Sequence, residues 1–132
     1  MPNTKLGKMQ FQFAELVWHY APLPSGELAR ICQQELNWKK STTYTVLRKL
    51  CEKGLFKNED ELVSVLMTRE QFFAAQSERF VEEAFGGSLP AFIAAFTSRK
   101  KLSSAEIDEL ERVINNSRKE GRKEGRKEGR NG

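Results

Sequence analysis

The chain has 132 residues, 39% of them apolar, which suits one compact unit or one small domain with an appendage. It carries 22 Lys and Arg against 18 Asp and Glu, a net charge of +4 that a polyanion partner would favour once its distribution is known. Two cysteines are too few for a disulfide framework, the N-terminal residues lack a signal-peptide core, and the apolar run over residues 89–96 is far short of a membrane span, so a reducing, cytoplasmic setting without membrane insertion is expected.

Met9, Phe13, Leu16, Val17 and Tyr20 recur at helical spacing, which predicts a first helix from Lys8 to Tyr20, ended by Pro22 and Pro24. Ser25 is a good N-cap for a second helix with Leu28, Ala29, Ile31, Cys32 and Leu36 on its apolar face. Asn37-Trp38-Lys39-Lys40 connects it to a third helix, opened by Ser41 or Thr42. Thr43, Val46, Leu47, Leu50 and Cys51 form its inner face, and Gly54 stands where a C′ glycine belongs. Cys32 and Cys51 therefore read as buried free thiols. The periodicity then changes. Leu55-Phe56-Lys57 and residues 62–66 are β-like runs on either side of the polar turn Asn58-Glu59-Asp60-Glu61. Three helices and a hairpin over residues 1–67 follow the order of a winged helix-turn-helix, in a mainly α chain.

Thr68-Arg69-Glu70-Gln71 reads as a capping box opening a long helix to about Phe85, which Gly86-Gly87 breaks. Ser88 caps another helix to about Ser98. Ser103-Ser104-Ala105-Glu106 is a second capping box, for a helix to about Asn116. Residues 68–117 carry Phe72, Phe73, Phe80, Phe85, Leu89, Phe92, Ile93, Phe96, Leu102, Ile107 and Leu110, more apolar surface than short helices can bury alone. A helical segment that dimerises with a second copy is the simplest solution, with Phe72, Phe80, Phe85, Leu89, Phe92, Ile93, Phe96, Ile107 and Leu110 as candidate contacts. Packing back onto residues 1–67 is the alternative. Residues 118–132 hold the repeat RKEGRKEGRKEGR, which has no apolar or aromatic residue and a helix-weakening glycine in each unit. It reads as a low-complexity, disordered or frayed extension that adds at most non-specific affinity for DNA.

The charge is unevenly placed. Residues 118–130 hold seven Lys and Arg against three Glu, so the rest of the chain is neutral. Within that rest, residues 1–57 have nine cations and four acids, and residues 58–117 have six cations and eleven acids. The basic excess centres on residues 39–57.

Catalytic chemistry has little to stand on. His19 is the single histidine, and there is no CxxC, HExxH or glycine-rich phosphate loop, so neither an enzyme nor a metal or other cofactor is expected. The third helix is more informative. Its outward residues begin with the hydroxyls of Ser41, Thr42, Tyr44 and Thr45 and continue with Arg48, Lys49 and Glu52. Hydroxyls toward the N-terminus can meet base edges while the cations meet phosphates or a guanine. Lys39, Lys40, Ser41, Thr42, Tyr44, Thr45, Arg48 and Lys49 are the candidate DNA-binding residues, with Lys57 the one wing cation. An ordinary solvated helix face is the plainer reading. The acidic wing tip also fits a winged helix that binds proteins and no operator.

The order of these residues resembles the penicillinase-repressor family of bacterial winged-helix regulators. The resemblance rests on Leu16-Val17-Trp18, Pro22-Leu23-Pro24-Ser25-Gly26-Glu27-Leu28-Ala29, Trp38, the run from Ser41 to Leu50, Lys53-Gly54-Leu55, Phe85-Gly86-Gly87-Ser88-Leu89, Ala94-Ala95-Phe96 and Leu102-Ser103, over about residues 6–115. It implies a homodimeric transcriptional repressor on a palindromic DNA operator, with C-terminal helices interlocked with the partner's. In the β-lactam branch of that family a sensor-linked protease cuts the dimerisation segment. The matching bond is Ala95–Phe96, with Ala95 where the best-known members have Asn. The copper-responsive branch ends in closely spaced cysteines, and this chain has none after Cys51.

Overall fold

Phe13, Ala14 and Val17 set one face of the first helix, α1 (Lys8–Tyr20), and all three are fully buried. The computed structural model describes residues 5–130, with side chains as far as Arg122. These residues form two compact units, one ending at Gly87 and the other beginning at Ser88. The first contains α1, β1 (Leu23–Pro24), α2 (Ser25–Leu36), α3 (Lys40–Glu52), β2 (Phe56–Glu59), β3 (Leu62–Val65) and α4 (Arg69–Phe85). The second contains α5 (Leu89–Arg99) and α6 (Ser104–Arg130).

The expected extent of α1 matches, but its burial differs in detail. Met9 is 57% exposed and Tyr20 43%, whereas Phe11 and Trp18 pack against the core. The cause is α4, which gives α1 a second apolar neighbour. The core joins Phe13, Val17, Leu28, Ile31, Cys32, Trp38, Leu47, Leu50, Leu55, Phe56 and Val63. Burying large apolar side chains of this kind contributes about 1.5–3 kcal/mol each, which is why three helices and a small sheet hold one arrangement.

The sheet has strand order β1-β3-β2, all antiparallel. Sequence periodicity showed only the hairpin, because β1 is two residues long and exists through its pairing of Leu23 with Val63. Pro24 sits at the sheet edge, where its missing N–H costs nothing. This strand also changes the role of Ser25. It is the first helical residue of α2 rather than its cap, its side chain makes no capping bond, and its N–H donates to the Glu61 carbonyl at 2.8 Å. The hairpin is tighter than the four-residue turn expected. β2 runs through Glu59, and Asp60 and Glu61 turn the chain with φ of 52° and 64°. Positive φ at both central residues is what a two-residue type I′ hairpin requires.

Thr68 caps α4 as expected: its hydroxyl accepts from the Gln71 N–H at 3.1 Å, and the Gln71 side chain accepts from the Thr68 N–H at 2.9 Å. Gly86, at φ 57°, ends it. Phe72 corrects an expectation. It is 3% exposed, with its ring 5.4 Å from Trp18 and 6.1 Å from Phe11, so it belongs to the first unit's core and is no surface for a second copy. The Arg69–Glu15 ion pair, 2.7 Å, fastens the start of α4 to α1 at the rim of that contact. Part of the supposed dimerisation segment thus packs back on the winged helix.

In the second unit, Ser88 caps α5 through the Ala91 N–H at 3.1 Å, and Ser103 and Glu106 form the capping box of α6. The last helix does not stop near Asn116. Its backbone stays helical to Arg130. Once a helix is nucleated, each added residue makes its hydrogen bond without a new nucleation cost. Arg, Lys and Glu are good helix formers, and Glu120 and Glu124 are each followed three residues later by a Lys, which offsets part of the glycine penalty.

Candidate nucleic-acid interface

The inner face of α3 is set by Thr43, Leu47 and Leu50, which are buried at 0–2% exposure. The buried Thr43 hydroxyl has no hydrogen-bond partner among the described residues. Burial pushes the Cys32 thiol up, and the polar Thr43 side chain offsets part of that shift. Burial likewise raises the Cys51 thiol. Neither cysteine is thereby made a ready nucleophile or metal ligand.

Facing away from this core, Lys39, Lys40, Ser41, Thr45, Arg48 and Lys49 are exposed, and Thr42 and Tyr44 are half-buried. The structure brings these eight predicted residues to one side of one helix and its N-cap. The Lys40 ammonium lies 6.0 Å from the centre of the Tyr44 ring, which orients that ring at the helix start. The ion pairs of the described residues use Arg30, Lys57, Arg69, Arg79 and Arg112. Lys39, Lys40, Arg48 and Lys49 are absent from them, so their charge is directed to solvent. This arrangement can hydrogen-bond base edges and neutralise phosphates.

Sequence reasoning passed over what positions this face. Trp38 precedes the N-cap residue Lys39 and is 8% exposed, with its ring stacked on Phe13 at 5.7 Å and 12°. Asn37 turns the chain out of α2 with φ 55°, and the Trp38 N–H donates to the Cys32 carbonyl at 3.3 Å. The basic N-terminus of α3 is therefore anchored in the core. The aromatic type and the polar residue before it were the available signals.

Lys57 differs from the α3 cations. Its ammonium is 2.6 Å from the Glu59 carboxylate. The hydrogen bond from Lys57 and its charge hold the Glu59 carboxyl below the usual range. With Asp60 and Glu61 beyond it, the wing presents no free cation among the described residues, and Lys57 is a poor phosphate contact as it stands.

The second unit holds an apolar groove of about 490 Å³ between α5 and α6, lined chiefly by Phe92, Ile93, Phe96, Leu102 and Leu110. Phe96 is 45% exposed, and Leu89 and Ile107 are also exposed. In the first unit, Phe80 is exposed and its ring lies 6.0 Å from that of Phe85 on the same helix. The Ala95–Phe96 bond lies inside α5, where the Ala95 carbonyl accepts from the Ser98 hydroxyl at 2.7 Å. A protease would have to unwind this turn to reach it.

His19 is exposed and edges against Tyr20. Among the described residues no three His, Cys, Asp or Glu gather as a metal set, and no helix is long and apolar enough to cross a membrane.

The profile of the penicillinase repressor family matches residues 6–116. The penicillinase repressor of Bacillus licheniformis is 19% identical over 114 residues, covering 83% of this chain and 89% of that protein. The methicillin resistance regulatory protein MecI of Staphylococcus aureus is 19% identical over 115 residues, covering 84% of this chain and 94% of that protein, and its Staphylococcus epidermidis counterpart is 18% identical over the same length. The match runs through α1 to the middle of α6 and includes every residue of the basic α3 face. The chain belongs to the penicillinase repressor family, whose members are transcriptional repressors and not enzymes.

Proposed function

We propose that this chain is a sequence-specific DNA-binding repressor that acts as a homodimer on a two-fold symmetric operator. The observation that carries the reading is the outward face of α3, where hydroxyls precede cations that take part in no ion pair among the described residues. Laid in a major groove, Ser41, Thr42, Tyr44 and Thr45 reach base edges, Arg48 takes a guanine, and Lys39, Lys40 and Lys49 take phosphates. The apolar α5–α6 groove supports the second copy, with Phe92, Ile93, Phe96 and Leu110 as contacts. Cutting Ala95–Phe96 by a sensor-linked protease would destroy that groove and release the operator.

Two joined modules impose a spacing. Footprinting on the DNA upstream of the chain's own gene should protect two related half-sites whose centres lie about 34 Å apart or a small multiple of that. A single unpaired half-site would remove the dimer from the reading. The acidic wing favours a second reading, a module that binds a basic protein partner. The absence of any sequence-preferring footprint would support that reading over the first.

A further inference from the structure

The RKEG repeat gains a property from being helical that its composition does not show. A four-residue period on a helix of 3.6 residues per turn advances each residue type by about 40° per repeat. Along residues 118–130 the four Arg positions and the three Lys positions therefore fall within about half of the helix circumference. The three Glu positions fall in a separate sector of about 80° on the other side. The period thus sorts mixed charges into a cationic half and an acidic stripe. Arg118, Lys119 and Arg122 are exposed where the segment begins. Thirteen residues at 1.5 Å each make this a rod of about 20 Å, continuous with the capped helix α6.

We propose that residues 118–130 form a cationic arm that lies along the DNA phosphate backbone with its Arg/Lys half, adding affinity without sequence choice. The partner follows from charge complementarity: a duplex carries one negative charge per about 1.7 Å of axis, and the arm has no apolar or aromatic group with which to read a base or pack on a protein. The inference rests on the DNA-binding reading above. It differs from a tail of net positive charge because it requires the cations to share one face.

The test is a full-length variant with Lys and Glu exchanged in each repeat: Lys119→Glu with Glu120→Lys, Lys123→Glu with Glu124→Lys, and Lys127→Glu with Glu128→Lys. Composition and net charge are unchanged, but the Glu positions now divide the cations. Circular dichroism checks that helicity is retained. The slope of log affinity against log salt should flatten by about 3 relative to the parent, and a chain ending at Ser117, which loses all seven cations, should flatten it by at least as much. The ratio of operator to non-operator affinity should stay as in the parent. An exchanged variant with the parent's slope overturns the arm. Parental DNA slopes accompanied by lost binding to phosphatidylserine vesicles would reassign it to a membrane surface. If parent and variants bind no DNA at all, the DNA-binding reading itself has failed.

Discussion

Replacing Phe96 by Asp should leave a folded monomer whose operator affinity is at least about 100-fold below that of the parent chain. Phe96 lines the α5–α6 groove and is 45% exposed, so its side chain contributes to a surface as well as to packing against Phe92, 6.4 Å away. A carboxylate there would have to be desolvated in any interface formed with a second copy. The recognition helix is untouched, so each monomer should still bind one half-site. What disappears is the high effective concentration of the second module. Sedimentation gives the association state, and titration of a duplex bearing one or two half-sites gives the affinity. A variant that remains dimeric would remove the groove from the interface.

The second large effect is on stability. Phe72→Ala should destabilise the first unit by about 3–5 kcal/mol, as expected for removing a buried aromatic. The ring is 3% exposed among Phe11, Trp18 and Phe73, and the Trp18 indole N–H is itself held by the Met67 carbonyl at 3.0 Å. Denaturant unfolding measures the loss. Dimer association, measured where the variant is still folded, should be unchanged, since Phe72 lies in the core. A variant of normal stability that no longer dimerises would restore Phe72 to the interface.

These two residues show how far the sequence could be read. Helical spacing and short-range caps are local, so α1, the Thr68 and Ser103 capping boxes and the Gly86 stop were legible from neighbouring residues alone. The polar face of α3 was legible for the same reason, because its inner residues fix its outer ones. Phe72 and Phe96 look alike in sequence, each an aromatic on a helix after the wing. What separates them is tertiary: α4 folds against Phe11 and Trp18, and nothing in the spacing of α4 says so. The β1 strand and the Lys57–Glu59 pair depend on pairing across the sheet, and a two-residue strand leaves no periodic signal. The glycines of the tail point to fraying, while its continuity with a capped helix and the Glu-to-Lys spacing at Glu120 and Glu124 favour extension of α6.

The proposed reader of DNA sequence is the outward face of α3. Its most direct test is equilibrium titration of the parent, Arg48→Ala and Lys39→Ala against a panel of operators substituted one base pair at a time. Arg48→Ala should lose about 1–3 kcal/mol of discrimination at one position of each half-site, while Lys39→Ala should weaken binding to every member of the panel alike. An Arg48→Ala protein that keeps the parent's base preference at every position would contradict the assignment of that face.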